Sequence, residues 1–310
     1  MSQTQTIELA PETGAAESRR RFLGKFTSAV FAGLVAPAVM QLAHNDPVLA
    51  DEVPAEEAPS PTAAARPAAG DVKPISGEQS VVDRMLDDLQ RALKRRADGQ
   101  NVRFGMAVDL QKCTGCRACT IACKAENMTP PEVSYNVVLE QEVGSYPNVK
   151  RTFMYKPCFH CENPPCTPVC PVGATYKREE DGIVVIDYDI CIGCRYCLTA
   201  CPYGSRFIDL GKTYTDPPQP YETSASPEYD ESRVRAEGGS PVGNARKCHF
   251  CLQRIYRGML PACTETCIGR AIHFGDLDDP DSVVAKLIAA RSHIRLKEEL
   301  GTEPNVYYLV

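Results

Sequence analysis

All sixteen cysteines of the 310-residue chain fall between residues 113 and 267, in four clusters of four. Group one is Cys113, Cys116, Cys119 and Cys123, spaced C-x2-C-x2-C-x3-C, and group three repeats that spacing in Cys191, Cys194, Cys197 and Cys201. Group two is Cys158, Cys161, Cys166 and Cys170; group four is Cys248, Cys251, Cys263 and Cys267. Pro171 and Pro202 directly follow the last cysteines of groups two and three. Thiol chemistry, more than core volume, must organise this fold.

Three chemistries compete for such thiols. Disulfides suit an exported chain, but adjacent C-x2-C pairs make strained loops and disulfide-stapled domains are usually much shorter. Zinc sites usually join two C-x2-C knuckles across a longer spacer, which leaves a dense C-x2-C-x2-C-x3-C-P run unexplained. An iron–sulfur cubane accounts for it. One loop supplies three thiolates at two-residue intervals, and the fourth cysteine, leading away, ligates the other cluster of a pair. Sixteen thiolates, four to a cluster, fill four [4Fe-4S] clusters with none left over.

VDLQKCTGCRACTIAC, from Val108, and IDYDICIGCRYCLTAC, from Ile186, share an aspartate four residues before the first cysteine, a C-x-G-C-R core and an alanine before the last cysteine. Duplication of a two-cluster unit explains this, with groups two and four as second halves and Ala174 and Ala271 in equivalent places. Short strands are expected at 105–110 and 152–156, and a hairpin from Thr175 to Ile186 turning at Asp181-Gly182. Short helices are expected after each fourth cysteine. The class is α+β: duplicated bacterial-ferredoxin-like dicluster domains with short strands, short helices and long irregular loops.

The chain begins with an address. Arg19 and Arg20, then Phe22 and Leu23, precede an apolar stretch and a small-residue end at Ala50, so residues 1–50 resemble a twin-arginine signal cut after Ala50. That resemblance implies the twin-arginine export machinery, which carries folded, cofactor-loaded proteins, and a periplasmic destination. Residues 51–78, rich in Pro, Ala and Glu, read as a mobile linker. Residues 79–100 read as an amphipathic helix, with Val82, Met85, Leu86, Leu89 and Leu93 on one face, packing on its own domain or on a partner. The four-cluster body spans 101–310, with an insertion at 213–244. A formal net charge of -6 without a basic stripe excludes nucleic acid as a partner. After residue 45 no run of about 18 apolar residues occurs, so membrane attachment is expected through a partner.

KCTGCRACTIAC, PCFHCENPPCTPVCP, CIGCRYCLTACPYGSRF, KCHFCLQR and PACTETC resemble the four-cluster iron–sulfur subunits of the molybdopterin oxidoreductase family, such as those of dimethyl sulfoxide, tetrathionate, thiosulfate or polysulfide reductases. The resemblance covers residues 101–310. It implies that groups one and four pair, as do groups two and three. One cluster then takes Cys113, Cys116, Cys119 and Cys267; its neighbour takes Cys248, Cys251, Cys263 and Cys123. A third takes Cys158, Cys161, Cys166 and Cys201, and the fourth takes Cys191, Cys194, Cys197 and Cys170. Some relatives carry tryptophan at the position of Cys197 and hold a three-iron cluster; cysteine here implies four irons in each.

The resemblance further implies a non-catalytic wire between a polytopic quinol-reactive membrane subunit and a molybdopterin catalytic subunit, serving anaerobic respiration, with a sulfur compound as the expected substrate. Two other readings stay open: a subunit of a quinone-linked complex lacking molybdenum, of the sulfite-reduction-associated type, and a self-contained redox enzyme. No nucleophile elbow, phosphate loop, dinucleotide fingerprint or paired-carboxylate motif assigns substrate chemistry to the chain.

Lys112, Arg117, Lys124, Lys156, Arg195, Arg246, Lys247 and Arg254 lie in or beside the ligand loops and as a set are expected to offset cluster charge. His160 and His249, inside C-x2-C loops, are expected to pack or hydrogen-bond. The segment 213–244 is too long and polar for core and is expected to wrap a partner or decorate the surface. Asp279 is expected to cap a helix opening at Pro280, with Val283, Val284, Leu287 and Ile288 as its apolar stripe.

Overall fold

The computed structural model describes residues 79–310 apart from Glu237; the signal at 1–50, cleavage after Ala50 and the linker at 51–78 lie outside the described residues. Among the described residues no helix is long and apolar enough to cross a membrane.

Helix α1 (Val81–Ala97) opens on a capping box, Ser80 Oγ accepting the Asp83 N–H while the Asp83 carboxylate accepts the Ser80 N–H. Strand β1 (Phe104–Asp109) follows and is buried throughout, as an inner strand with both faces covered must be. Next come α2 (Ala118–Glu126) and a long hairpin of β2 (Val137–Ser145) and β3 (Asn148–Lys156). The expected strand at 152–156 is thus the inner end of a nine-residue strand. The short hairpin of β4 (Thr175–Lys177) and β5 (Val184–Ile186) pairs Thr175 with Ile186, around the expected turn.

After α3 (Tyr196–Ala200) the chain alternates two-residue strands with loops: β6 (Phe207–Ile208), β7 (Ala225–Ser226), β8 (Arg233–Val234) and β9 (Ala245–Arg246). The one-turn helices α4 (Leu252–Ile255) and α5 (Ala262–Glu265) lead into β10 (Ile272–Asp276), α6 (Val283–Ala290), β11 (His293–Ile294) and β12 (Val306–Leu309). The largest sheet has the order β10-β1-β12-β11, β1 lying antiparallel to β10 and parallel to β12.

Helix α1 packs on β10 of its own body, burying Met85, Leu89 and Ala92. Asp88 accepts the Val283 N–H at 2.6 Å, tying α1 to α6. One expectation is corrected by the structure and one is refined. The N-cap of α6 is Ser282, whose Oγ accepts the Ala285 N–H, while Asp279 accepts the Asp281 N–H and pairs with Arg91 instead. The segment 213–244 is mostly exposed but enters the core at a few points, among them Ser226 and Glu228, because Glu228 completes an ion pair with Arg246 and accepts both the Tyr135 and Tyr188 hydroxyls.

Candidate electron-transfer site

The two repeated loops fold alike. In each C-x-G-C-R core the glycine and the arginine both take positive φ: Gly115 (72°) and Arg117 (60°), then Gly193 (64°) and Arg195 (66°). A Cβ on Gly115 would stand 2.5 Å from the Phe153 ring, and one on Gly193 would stand 2.2 Å from the Gly243 carbonyl oxygen. Left-handed turns of this kind gather successive N–H groups on one side, which favours bound anions. Arg117 and Arg195 are also the N-caps of α2 and α3.

These helices do not follow the fourth cysteines as expected. Helix α2 carries Cys119 and Cys123 one turn apart, α3 carries Cys197, and α5 carries Cys263. The reason is geometric: residues four apart share a helix face but are offset by one turn, about 5.4 Å along the axis, so Cys119 meets its own loop while Cys123 reaches the next sulfur set.

The cysteines converge across groups. Cys113 and Cys119 lie within electrostatic reach of Cys267, and Cys113 also of Cys116. Cys123 faces Cys248, Cys251 and Cys263. Cys161 faces Cys158, Cys166 and Cys201, and these four line one cavity with Pro164, Pro165 and Arg206. Cys197 faces Cys191 and Cys194. The sulfur of Cys170 accepts backbone N–H groups from Val172, Gly173, Ala174 and Thr175, which outweigh its partial burial and hold its thiol below the ordinary range. Successive sets also lie within electrostatic reach of one another, Cys119 of Cys263 and Cys248 of Cys158.

None of the sixteen cysteines is joined in a disulfide. Burial pushes Cys119 up to about 11 and Cys161, Cys248, Cys251 and Cys263 up to about 12. A bound metal displaces such protons. Among the described residues no three His, Cys, Asp or Glu side chains converge on a single metal-ion position. A cubane sets each thiolate on a separate iron and requires no such point.

The surroundings fit an anionic sulfur cage. Asn127 Nδ2 stands 3.4 Å from Cys123 Sγ and 3.9 Å from Cys251 Sγ, while the Ala271 N–H donates to Cys267 Sγ at 3.2 Å. Arg206 Nη2 lies 3.0 Å from Cys166 Sγ. The buried Tyr155 hydroxyl has no nitrogen or oxygen partner among the described residues and faces Cys263.

The eight cations divide. Lys247, fully buried, donates to the carbonyls of Val184 and Cys248 and faces Cys158, Cys248 and Cys166. Lys156 donates to the Tyr203 carbonyl at 2.7 Å and faces Cys201. The rest have other partners or roles: Arg246 pairs with Asp209 and Glu228, Arg254 with Glu126 and Glu265, and Lys112 with Asp109. Lys124 donates to the carbonyls of Pro130 and Val133, and Arg117 and Arg195 take the N-cap positions through their backbones, with no side-chain cap hydrogen bond.

Both loop histidines are buried. His160 Nδ1 accepts the Val184 N–H at 3.1 Å with its ring stacked on Phe250, and His249 Nδ1 accepts the Leu252 N–H at 3.2 Å. Desolvation holds His160 well below the ordinary imidazole range and lowers His249 to about 4. Arg206 and Tyr155 are not evident from the sequence; the signal for Arg206 is its place in the CPYGSRF run, five residues past Cys201.

A ferredoxin-like α+β body with these sulfur sets defines an iron–sulfur electron-transfer protein. Comparison with known proteins agrees: the 4Fe-4S dicluster domain family matches residues 149–215 and, with a second family of the same description, 183–268. A selenate reductase subunit of Mesobacillus selenatarsenatis is 56% identical over 232 residues, 74% of this chain and 78% of that protein. A tetrathionate reductase subunit of Salmonella typhimurium is 41% identical over 212 residues, 67% and 72%. The putative dimethyl sulfoxide reductase iron-sulfur subunit of Halobacterium salinarum is 40% identical over 225 residues, 66% and 78%. The chain belongs to the family of iron–sulfur electron-transfer subunits of the molybdopterin oxidoreductases, which serve oxidoreductase complexes without being their catalytic subunits.

Proposed function

We propose that the sixteen cysteines hold four [4Fe-4S] clusters in the sets named above and that the chain passes electrons between a quinol-reactive membrane subunit and a periplasmic molybdopterin subunit. One observation carries this reading: the sulfur sets form a row. Cys119 beside Cys263 joins the first to the second, Cys248 beside Cys158 joins the second to the third, and Arg206 faces both Cys166 of the third and Cys197 of the fourth.

Both ends of the row are at the surface. Cys116 in the first set and Cys194 in the fourth are exposed. Ile121 and Ile268 are exposed beside the first, and Ile192 and Tyr196 beside the fourth, which suits docking of a partner at each end. A bound cluster supplies one-electron storage at each station. The chain's residues do the remainder: the left-handed turns fix the sulfurs, N–H groups and cations offset negative charge, and burial excludes water.

Export by the twin-arginine route, a linker at 51–78 and a body at 101–310 complete the reading, with membrane association through the partner. The relatives named for selenate, tetrathionate and dimethyl sulfoxide support an oxidised sulfur or selenium compound as the substrate of the complex. Selenate is the first to assay, because that relative has the highest identity of the three.

The test is reconstitution. The anaerobically purified chain alone should reduce neither selenate nor tetrathionate with a viologen donor, and addition of the molybdopterin subunit should give turnover. Removal of the chain from the whole complex should abolish quinol-driven reduction. Turnover by the isolated chain would contradict the reading.

A further inference from the structure

The contacts between successive sulfur sets differ in charge. Between the first and second lies the neutral phenol of Tyr155, which faces Cys119, Cys248 and Cys263. Between the second and third lies the ammonium of Lys247, facing Cys248 on one side and Cys158 and Cys166 on the other. Between the third and fourth lies the guanidinium of Arg206, 3.0 Å from Cys166 Sγ, hydrogen-bonded to Thr175 Oγ1 and facing Cys197. Lys156 adds a further cation beside Cys201.

The third set, Cys158, Cys161, Cys166 and Cys201, is therefore faced by Lys247, Arg206 and Lys156. The second has Lys247, while the Glu126 carboxylate near Cys251 is paired with Arg254 at 3.0 Å. The fourth has Arg206, and beside the first Lys112 leans toward Asp109. Reduction adds one negative charge to a cluster, so a fixed cation in a water-poor interior stabilises the reduced form more than the oxidised one.

We propose that Lys247 and Arg206 act as electrostatic tuning residues and that the cations they place around Cys158, Cys161, Cys166 and Cys201 make this third station the highest in reduction potential along the row. Electrons then collect at an inner station, shielded from adventitious oxidants. This inference rests on the four-cluster reading above.

The test is a potentiometric titration of the full chain followed by electron paramagnetic resonance, after iron has been counted on each sample. Lys247→Met should lower two of the four midpoints and Arg206→Gln should lower two, with one signal moved by both. That shared signal should be the one of highest potential in the wild type. The expected shift is about tenfold in the reduced-to-oxidised ratio, 59 mV for a one-electron couple. Lys247→Arg, which keeps the charge, should restore the wild-type values.

Four loaded clusters with no midpoint moved, all four moved equally, or a shared signal that is not the highest would each overturn the proposal. If either buried variant loses a cluster, Lys156→Met is decisive: it should lower the highest-potential signal alone, and failure to do so overturns the proposal. A wild-type iron count well below about sixteen per chain counts against the four-cluster reading instead.

Discussion

The Asp109 N–H donates to the Ala271 carbonyl at 2.7 Å, and its counterpart in the repeat, the Asp187 N–H, donates to the Ala174 carbonyl at the same distance. Each alanine in turn gives its own N–H to the sulfur four residues before it, Cys267 or Cys170. The duplication seen in the motifs is thus a duplicated hydrogen-bond pattern, and it joins group one to group four and group two to group three. The side chains repeat as well: Asp109 Oδ1 accepts the Gln111 N–H at 3.0 Å and Asp187 Oδ1 accepts the Asp189 N–H at 2.8 Å. Asp187→Ala should cost about 1 kcal/mol, one turn hydrogen bond. Asp109→Ala should cost about 2–3 kcal/mol, because Asp109 is buried and pairs with Arg291. Anaerobic thermal denaturation of the two variants checks the ranking, and equal losses would contradict it.

The same carboxylate sets a pH dependence. Burial raises the Asp109 proton affinity, but the Arg291 hydrogen bond, the Gln111 N–H and the nearby Arg291 and Lys112 charges together hold it below the ordinary carboxylate range. A depressed folded-state value stabilises the fold above the unfolded value of about 3.9, and the benefit fades as pH falls through the folded one. The stability gap between wild type and Asp109→Asn should be constant from pH 7 to about 5 and shrink below about 4. Denaturation midpoints of both proteins across that range check this.

Glycine is required at position 193 for two reasons, positive φ and close approach to the Gly243 carbonyl; at Gly204, also at positive φ (59°), a Cβ would meet nothing within 4 Å. Gly204→Ala should cost only backbone strain, about 1 kcal/mol. Gly193→Ala must also displace the loop, with an expected loss of about 3 kcal/mol or more and of iron from the fourth set. Iron content and thermal midpoint of the pair separate strain from clash.

Arg246 and Glu228 are 1% and 2% exposed and 2.7 Å apart, so the inserted segment is pinned through a buried charge. Removing one partner strands the other, and Arg246→Met should cost about 3–5 kcal/mol. Hydrogen exchange should rise across residues 213–244 in that variant while α1 keeps its protection; uniform exchange in both would sink the pinning role.

The ligand loops were legible because cysteine spacing reports local geometry: C-x-G-C-R encodes a left-handed turn at Gly115 and again at Gly193. Helix α1 was legible from its apolar period and its acidic start and basic end. The pairing of groups came from the family resemblance, and the contact of Cys123 with Cys248, Cys251 and Cys263 follows from α2 pointing across the body. Arg206 and the Glu228 clamp were not legible. Their roles depend on burial and on partners 18 to 111 residues away, such as Arg246 for Glu228, Thr175 for Arg206 and Tyr135 for Arg246, and local spacing does not specify those partners. The polar segment 213–244 is mostly exposed, as its composition implies, and the few side chains that enter the core, such as Glu228, were not legible for the same reason: a polar side chain enters the core when its charge is matched there.

The most direct test of the four-cluster wire is iron and acid-labile sulfide analysis of the anaerobically purified chain. Four filled sets predict about sixteen irons and about sixteen sulfides per chain, four for each set of four thiolates. A count of about eight would contradict them.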